Sequence, residues 1–306
     1  VWAIVSKEQR REKALALLRA ADLEGLHDLV AHHMRTWGRA GARVSPHTLK
    51  SYKSALRTFL GWLMGMGLEG EALVEAIANP SEELGAAFLR HLEEEGLRPA
   101  SVNQRRAALG ALYEALRWAG VTQANPFREA PTRRDPVPRW EKRRPYSEDE
   151  VKKLLEAAAT PEERLLVLLG AQGGLRISEA VGLKWEDVDL EGRAMRVFGK
   201  GRKEATVLIP GPLLEALKAV AQPSGKVLPW KDPEGARRAL KRIAKRAGVP
   251  YRGYHALRHY CGTHLYRATG DLQTVARHLR HANIQVSTIY AKWGEEEAKK
   301  VLEAWK

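Results

Sequence analysis

The chain has 306 residues, of which 44% are hydrophobic, with 51 lysines and arginines against 37 acidic residues for a net charge of +14. That length suits two domains, and the hydrophobic share supplies real cores, which excludes a disordered chain. The single cysteine, Cys261, excludes an intrachain disulfide, and no apolar run nears the ~20 residues of a membrane span.

From the N-terminus to about residue 128 the pattern is helical. Ser6-Lys-Glu-Gln9 is a capping box that starts a helix expected to end near Asp22. Ser45-Pro46 opens another, with proline at its tolerated first position. In it Thr48, Tyr52, Leu56, Phe59 and Leu63 recur at helical spacing as a buried stripe, while Lys50, Lys53 and Arg57 lie on another face. Short helices follow near 71–78 and 81–95. Ser101-Val-Asn-Gln104 is read as the cap of a helix that carries Arg105 and Arg106 in its first turn and ends by Gly120. Basic residues there oppose the helix dipole, a mismatch that either a DNA phosphate or solvation would relieve.

Asn125 to Pro145 holds five prolines and seven lysines or arginines with no helical period, and reads as an extended basic linker. Ser147-Glu-Asp-Glu150 and Thr160-Pro-Glu-Glu163 are capping boxes for helices at about 148–158 and 161–171. Gly173-Gly174 breaks the second, and Arg176 begins the next element. Two strands, Arg193 to Phe198 and Lys203 to Ile209, flank the turn Gly199-Lys200-Gly201-Arg202. Helices are expected near 212–221, 233–247, 254–269 and 271–280, with a last one from about 295. The expected fold is mainly α. An all-helical domain at 1–128 and a basic, proline-rich linker at 129–145 precede a mixed α+β domain at 146–306 with a small antiparallel hairpin.

Residues 1–144 carry 23 basic against 17 acidic residues and the remainder 28 against 20, so both halves are cationic. A nucleic acid running along both is the natural partner, since each phosphate neutralised releases counterions. Arg237, Arg238, Lys241, Arg242, Lys245 and Arg246 form a basic stripe on one helix, suited to a DNA groove. Cysteine usage points to a reducing, cytoplasmic interior, where a DNA partner would place the chain at the nucleoid, and the scarcity of Asn and Gln hints at a thermophile. The opening Val-Trp-Ala-Ile-Val is too short for a signal-peptide core.

The chemistry concentrates in the second half. Arg176 and Arg258 offer planar forks of donors that fit two phosphate oxygens and can neutralise a pentacoordinate phosphorane. Glu179, three residues after Arg176, can orient it or a neighbouring histidine. His255 and Arg258 stand three apart, so one helical turn delivers both to one point, while His259 reads as structural. His255 suits proton transfer, and His281 can donate to a non-bridging oxygen. Lys200, between two glycines at a hairpin tip, can protonate a departing 5′ oxygen. Tyr290 is the candidate nucleophile, its phenol activated by a positive field.

These motifs resemble the tyrosine recombinase (phage integrase) family, most closely its Xer-like members. Arg176 and Glu179 stand in Gly-Gly-Leu-Arg-Ile-Ser-Glu-Ala, Lys200 in Gly-Lys-Gly, and His255 with Arg258 in His-Ala-Leu-Arg-His, while His281 and Tyr290 keep the family's nine-residue step. The resemblance implies a helical, SAM-like core-binding domain before a catalytic domain. It implies that Arg176, Lys200, His255, Arg258 and His281 activate the scissile phosphate, with Glu179 accessory. Tyr290 would form a 3′-phosphotyrosyl bond, without metal, ATP or other cofactor, and two strand exchanges would pass through a Holliday junction. The implied partners are double-stranded DNA with paired specific sites and further recombinase protomers. These form a homotetramer on two sites or include a paralogue, with a C-terminal helix (Glu295 to Lys306, apolar at Val301, Leu302 and Trp305) docking into a neighbour. No membrane is involved. A separate arm-binding domain before the core-binding helices is not expected, which argues against an integrase of the large phage type that bridges arm and core sites. DNA contacts are expected at Lys50, Lys53, Arg57, Arg105, Arg106, Arg202, Arg237, Arg238, Lys241, Arg242, Lys245 and Arg280. Arg280 departs from the family pattern, which has Leu-Gly-His where this chain has Leu279-Arg280-His281; it either adds a phosphate contact or alters the turn that places His281. Tyr260-Cys261-Gly262-Thr263 replaces the commoner small apolar run. The rival readings are a type IB topoisomerase-like relaxing enzyme and a catalytically silent DNA-binding protein; a metal-dependent nuclease lacks its carboxylate cluster.

Overall fold

Seven helices in residues 7–129 follow from cap chemistry and apolar spacing; the computed structural model describes residues 2, 4–137, 144–199, 204–281 and 287–291. They are α1 (Lys7–Arg19), α2 (Leu23–Trp37), α3 (Pro46–Gly65), α4 (Gly70–Ala78), α5 (Leu84–Glu94), α6 (Pro99–Ala119) and the short α7 (Pro126–Glu129). The Ser6 box forms as expected, with both reciprocal bonds to Gln9. Helix α2 was not singled out in the sequence: Asp22, read as the end of α1, caps α2 by accepting from the Gly25 N–H at 3.0 Å. Ala21 makes the reversal between the helices with a positive φ of 47°. Helix α6 also differs, since Arg98 is its N-cap and Pro99 its first residue. Proline at that position displaces Ser101 into the first turn. Arg105 and Arg106 therefore lie beyond the first turn, and the supposed clash with the helix dipole disappears.

The core of this part is aromatic at its centre. Phe59 meets Phe88 and Phe127 edge-on, with centroids 5.1 and 5.4 Å apart, and Tyr113 lies 5.7 Å from Phe127. Such edge-to-face pairs add to simple burial. Leu56, Phe59 and Leu63 of the predicted stripe are buried, whereas Thr48 and Tyr52 are half-buried.

The chain divides into two compact units, Val1–Pro136 and Val137–Lys306. In the second, α8 (Glu148–Glu156) starts at the reciprocal Ser147–Glu150 box. Helix α9 (Pro161–Ala171) is capped by Thr160, but the Glu163 carboxylate turns to the Ala159 N–H at 2.9 Å, one residue before the expected box partner. Helix α10 (Ile177–Gly182) precedes a three-stranded antiparallel sheet, β1 (Val188–Asp189), β2 (Ala194–Phe198) and β3 (Glu204–Leu208), in that spatial order. The hairpin register pairs Ala194 with Leu208 and Phe198 with Glu204. Met195, Val197 and Val207 face the core. β1 was missed because two residues carry no readable alternation. Helices α11 (Gly211–Lys218), α12 (Pro233–Arg246), α13 (Tyr254–Thr269) and α14 (Leu272–Leu279) follow, and residues 288–291 are helical. Helices α9, α12 and α13 pack their apolar faces into one core that includes Leu165, Leu240 and Leu257, while Cys261, Val275, Leu279 and Tyr290 form a smaller satellite cluster. The middle of the predicted linker, the hairpin tip with Lys200 and Arg202, and the predicted C-terminal helix lie outside the described residues. No helix among the described residues is long and apolar enough to cross a membrane.

Candidate active site

Four chain segments meet where α9 breaks. Gly174 takes a left-handed φ of 58°, and a Cβ there would stand 2.4 Å from Leu279 Cδ2, so both conformation and space demand glycine. Two residues on, Arg176 is the N-cap of α10. Its backbone N–H donates to Glu179 Oε2 at 2.8 Å, and its Nη1 donates to Oε1 at 2.9 Å. The Glu179 side chain is only 2% exposed, whereas that of Arg176 is 43% exposed, so the carboxylate anchors a guanidinium whose outer edge remains open. Burial works against the charge on Glu179, but the Arg176 N–H and the Arg280 and Arg176 guanidinium groups outweigh it, and its carboxyl sits below the ordinary range.

Arg258 comes from α13 and is 1% exposed. Its two terminal nitrogens donate to the carbonyls of Gly174 and Leu279, tying the α9 break to the end of α14. Burial, reinforced by Arg176 and Arg280, lowers its pKa to about 10, so it stays charged at neutral pH. His255, one turn earlier, is exposed and meets His259 edge-on with centroids 4.4 Å apart.

His281 follows α14 directly. Its Nδ1 lies 2.8 Å from the hydroxyl of Ser287, a fully buried residue that the sequence gave no reason to single out. Its ring stacks on Tyr290 with centroids 6.0 Å apart and planes 7° from parallel. Burial, then the charges of Arg258, Arg176, His255 and Arg280, lower the His281 pKa to about 4, so the imidazole is neutral at pH 7. Tyr290 is buried, with Oη 3.4 Å from Nδ1 of His259. Burial pushes its phenol above the ordinary value, while Arg258 and Arg176 pull in the other direction. A Cβ on Gly262 would stand 2.5 Å from the phenol ring, so that glycine makes room for it.

Arg176, Glu179, His255, Arg258, His281 and Tyr290 thus share one electrostatic site; His259 and Ser287 join it unpredicted. Lys200 lies outside the described residues. Among the described residues no group of three or more His, Cys, Asp or Glu side chains is placed to hold a metal ion.

The remaining cations divide. On α12, Arg237, Arg238, Lys241, Arg242 and Lys245 are exposed, with Arg237 paired to Glu234 at 3.2 Å. On α3, Lys50 and Arg57 are exposed and Lys53 pairs with Glu24. Arg105 is half-buried, and Arg106 is turned to the carbonyls of Ala130 and Arg128 at 2.5 and 2.6 Å. The Arg280 guanidinium is turned inward onto Glu179.

Residues 146–297 match the model of the phage integrase family, and residues 39–120 match that of the phage integrase N-terminal SAM-like domain. Tyrosine recombinase XerA of Thermococcus kodakarensis is 31% identical over 276 residues, which cover 85% of this chain and 89% of that protein. Tyrosine recombinase XerC of Xylella fastidiosa is 30% identical over 278 residues, covering 85% and 91%. Among solved structures, XerH bound to palindromic difH in a post-cleavage complex superposes with a TM-score of 0.65 at 21% identity, covering 100% of this chain and 91% of that one. A lambda integrase tetramer bound to a Holliday junction gives 0.66 at 18% identity, covering 87% and 76%. These two share the fold.

Proposed function

This chain belongs to the tyrosine recombinase (phage integrase) family, and from that premise we propose the chemistry of its site. It is a site-specific DNA recombinase in which Tyr290 Oη attacks the scissile phosphorus. The bond to the 5′ oxygen breaks, a 3′-phosphotyrosyl ester forms, and the 5′ oxygen leaves with a proton. Attack by a 5′ hydroxyl of the partner strand reverses the step, so the ester conserves the bond energy and no ATP is consumed. The outer edge of the Arg176 guanidinium and the charge of Arg258 stabilise the phosphorane. His281 donates from Nε2, a tautomer favoured when the Ser287 hydroxyl donates to Nδ1. His255, exposed beside this cluster, serves proton transfer, and Lys200 protonates the leaving oxygen. In the free protein the buried phenol is protonated, so on docking of DNA it must leave its buried position and give up its proton in the positive field of Arg258 and Arg176.

The observation that carries this reading is the convergence of charge: Arg176, Arg258, Arg280 and His255 all act on His281, whose ring lies on Tyr290. Two exchanges through a Holliday junction, four protomers on two sites and a docking helix at Glu295 to Lys306 complete the proposal, with cytoplasmic DNA as the target. Contacts to that DNA are assigned to Lys50, Arg57 and the exposed α12 cations.

Incubation with a nicked suicide substrate followed by a denaturing gel tests the nucleophile. Wild type is expected to give a covalent protein–DNA species, and Tyr290→Phe to bind the same DNA without one. An undiminished adduct in the variant removes Tyr290 from the role. A protein that only binds DNA gives no adduct in either case.

A further inference from the structure

Arg280 occupies the position just before His281 and ends α14 in a left-handed conformation, φ 56° and ψ 48°. Residues with a Cβ rarely adopt it, and glycine does so freely. An arginine here therefore calls for a compensating interaction, and its side chain makes three. Nη1 donates to the His278 carbonyl at 3.0 Å, while Nη2 donates to the Gly174 carbonyl at 3.2 Å and to Glu179 Oε2 at 2.7 Å. The side chain is 11% exposed, so these bonds are shielded from solvent.

The consequence falls on Glu179. Its carboxylate stands between two guanidinium groups, Oε1 taking Arg176 Nη1 and Oε2 taking Arg280 Nη2 together with the Arg176 N–H. A lone carboxylate facing a lone arginine tends toward a two-pronged pair that would occupy the whole fork. Here the second guanidinium claims one oxygen, so Arg176 is held by a single Nη. The same Arg280 backbone leads into His281, whose N–H donates to the Ala276 carbonyl at 2.9 Å.

We propose that Arg280 is a positioning residue: through Glu179 it sets the orientation of Arg176 and keeps its outer edge free for the phosphate. The inference rests on the assignment of Arg176 to the scissile phosphate. It assigns Arg280 an internal role in place of a DNA contact.

A double-mutant cycle tests it with single-turnover cleavage of a suicide substrate at saturating protein. Arg280→Gly suits the left-handed backbone and so preserves the turn while removing the pair. It is expected to slow cleavage by roughly tenfold to a hundredfold, the range for losing one positioned interaction, with DNA affinity and its salt dependence unchanged. Arg280→Lys, which can reach Glu179 with one ammonium, is expected to recover part of the rate. In a Glu179→Gln background, Arg280→Gly should cost little further, because the residue it acts through is already neutral.

Three results overturn the proposal. Cleavage by Arg280→Gly at the wild-type rate is one. An equal loss with and without Glu179→Gln is another, since it shows that Arg280 acts independently of the carboxylate. The third is weakened DNA binding with a shallower salt slope, which makes Arg280 a phosphate contact. Failure of wild type itself to form the adduct overturns the tyrosine chemistry and this inference with it; an adduct in wild type combined with an additive cycle overturns the inference alone.

Discussion

Replacing His281 with glutamine is expected to make folding less sensitive to acid. In the folded chain burial first, and then Arg258, Arg176, His255 and Arg280, lower this imidazole from an ordinary pKa of 6.5 to about 4. Above pH 6.5 the ring is neutral in both states. As the pH falls below that value the unfolded chain binds a proton that the folded chain refuses, so stability present at neutral pH is lost toward about pH 4. At about pH 5 linkage gives roughly 2 kcal/mol for the full shift, and screening of a half-buried ring by solvent reduces this to about 1 kcal/mol. Urea denaturation at about pH 7 and about pH 5, followed through hydrogen exchange of α13 amides, gives the acid loss for each protein. The difference between wild type and His281→Gln isolates the contribution, because His278 and His33, also lowered chiefly by burial, titrate in both. Equal acid losses in the two proteins, or a larger one in the variant, would refute the argument that burial and then the neighbouring cations hold His281 neutral.

Arg246→Ala should destabilise the second unit by about 1–3 kcal/mol, less than a fully buried pair, because Arg246 is partly exposed. It leaves the buried Glu163 carboxylate without its guanidinium and the Ala157 carbonyl without a donor at 3.0 Å. Urea denaturation measures the loss, and cleavage by the folded fraction should not change. On α12, the double variant Arg238→Ala, Arg242→Ala should lower the slope of log affinity against log salt by about 1–2, roughly 0.9 for each phosphate contact removed. An unchanged slope on target and unrelated DNA takes this helix off the DNA backbone.

What the sequence made legible was local or carried by side-chain identity. Ser6 and Ser147 cap their helices as read, because a capping box is complete within four residues. Ser101 misled because Pro99, favoured at the first helical position, starts the helix earlier, behind an Arg98 N-cap that makes no side-chain cap bond. Helix α2 hid behind the tight reversal at Ala21, where Asp22 closes one helix in sequence and opens the next in space. In the site, Arg176, Glu179 and Arg258 are legible from motif, but their partners are not. Ser287 reaches His281 Nδ1 from six positions on, and Arg280 reaches Glu179 across 101 positions of chain. Spacing cannot show contacts that only tertiary packing makes, so His259 read as structural although its ring faces the phenol.

The packing also divides the labour of the site. Helix α13 sets Ala256 and Leu257 in the main core and Cys261 in the satellite cluster, so a single helix belongs to both. Arg258 projects between them and ties the Gly174 and Leu279 carbonyls, which fixes the cationic cradle to the more extensive core. Tyr290, by contrast, is held mainly by the satellite cluster, with Gly262 leaving it space. Moving the phenol out would leave the main core intact, whereas moving Arg258 would break the buried hydrogen bonds that tie it. Under the proposed chemistry this asymmetry serves electrostatic preorganisation: the charges that would meet the phosphorane stay fixed, and the nucleophile is the group that would travel.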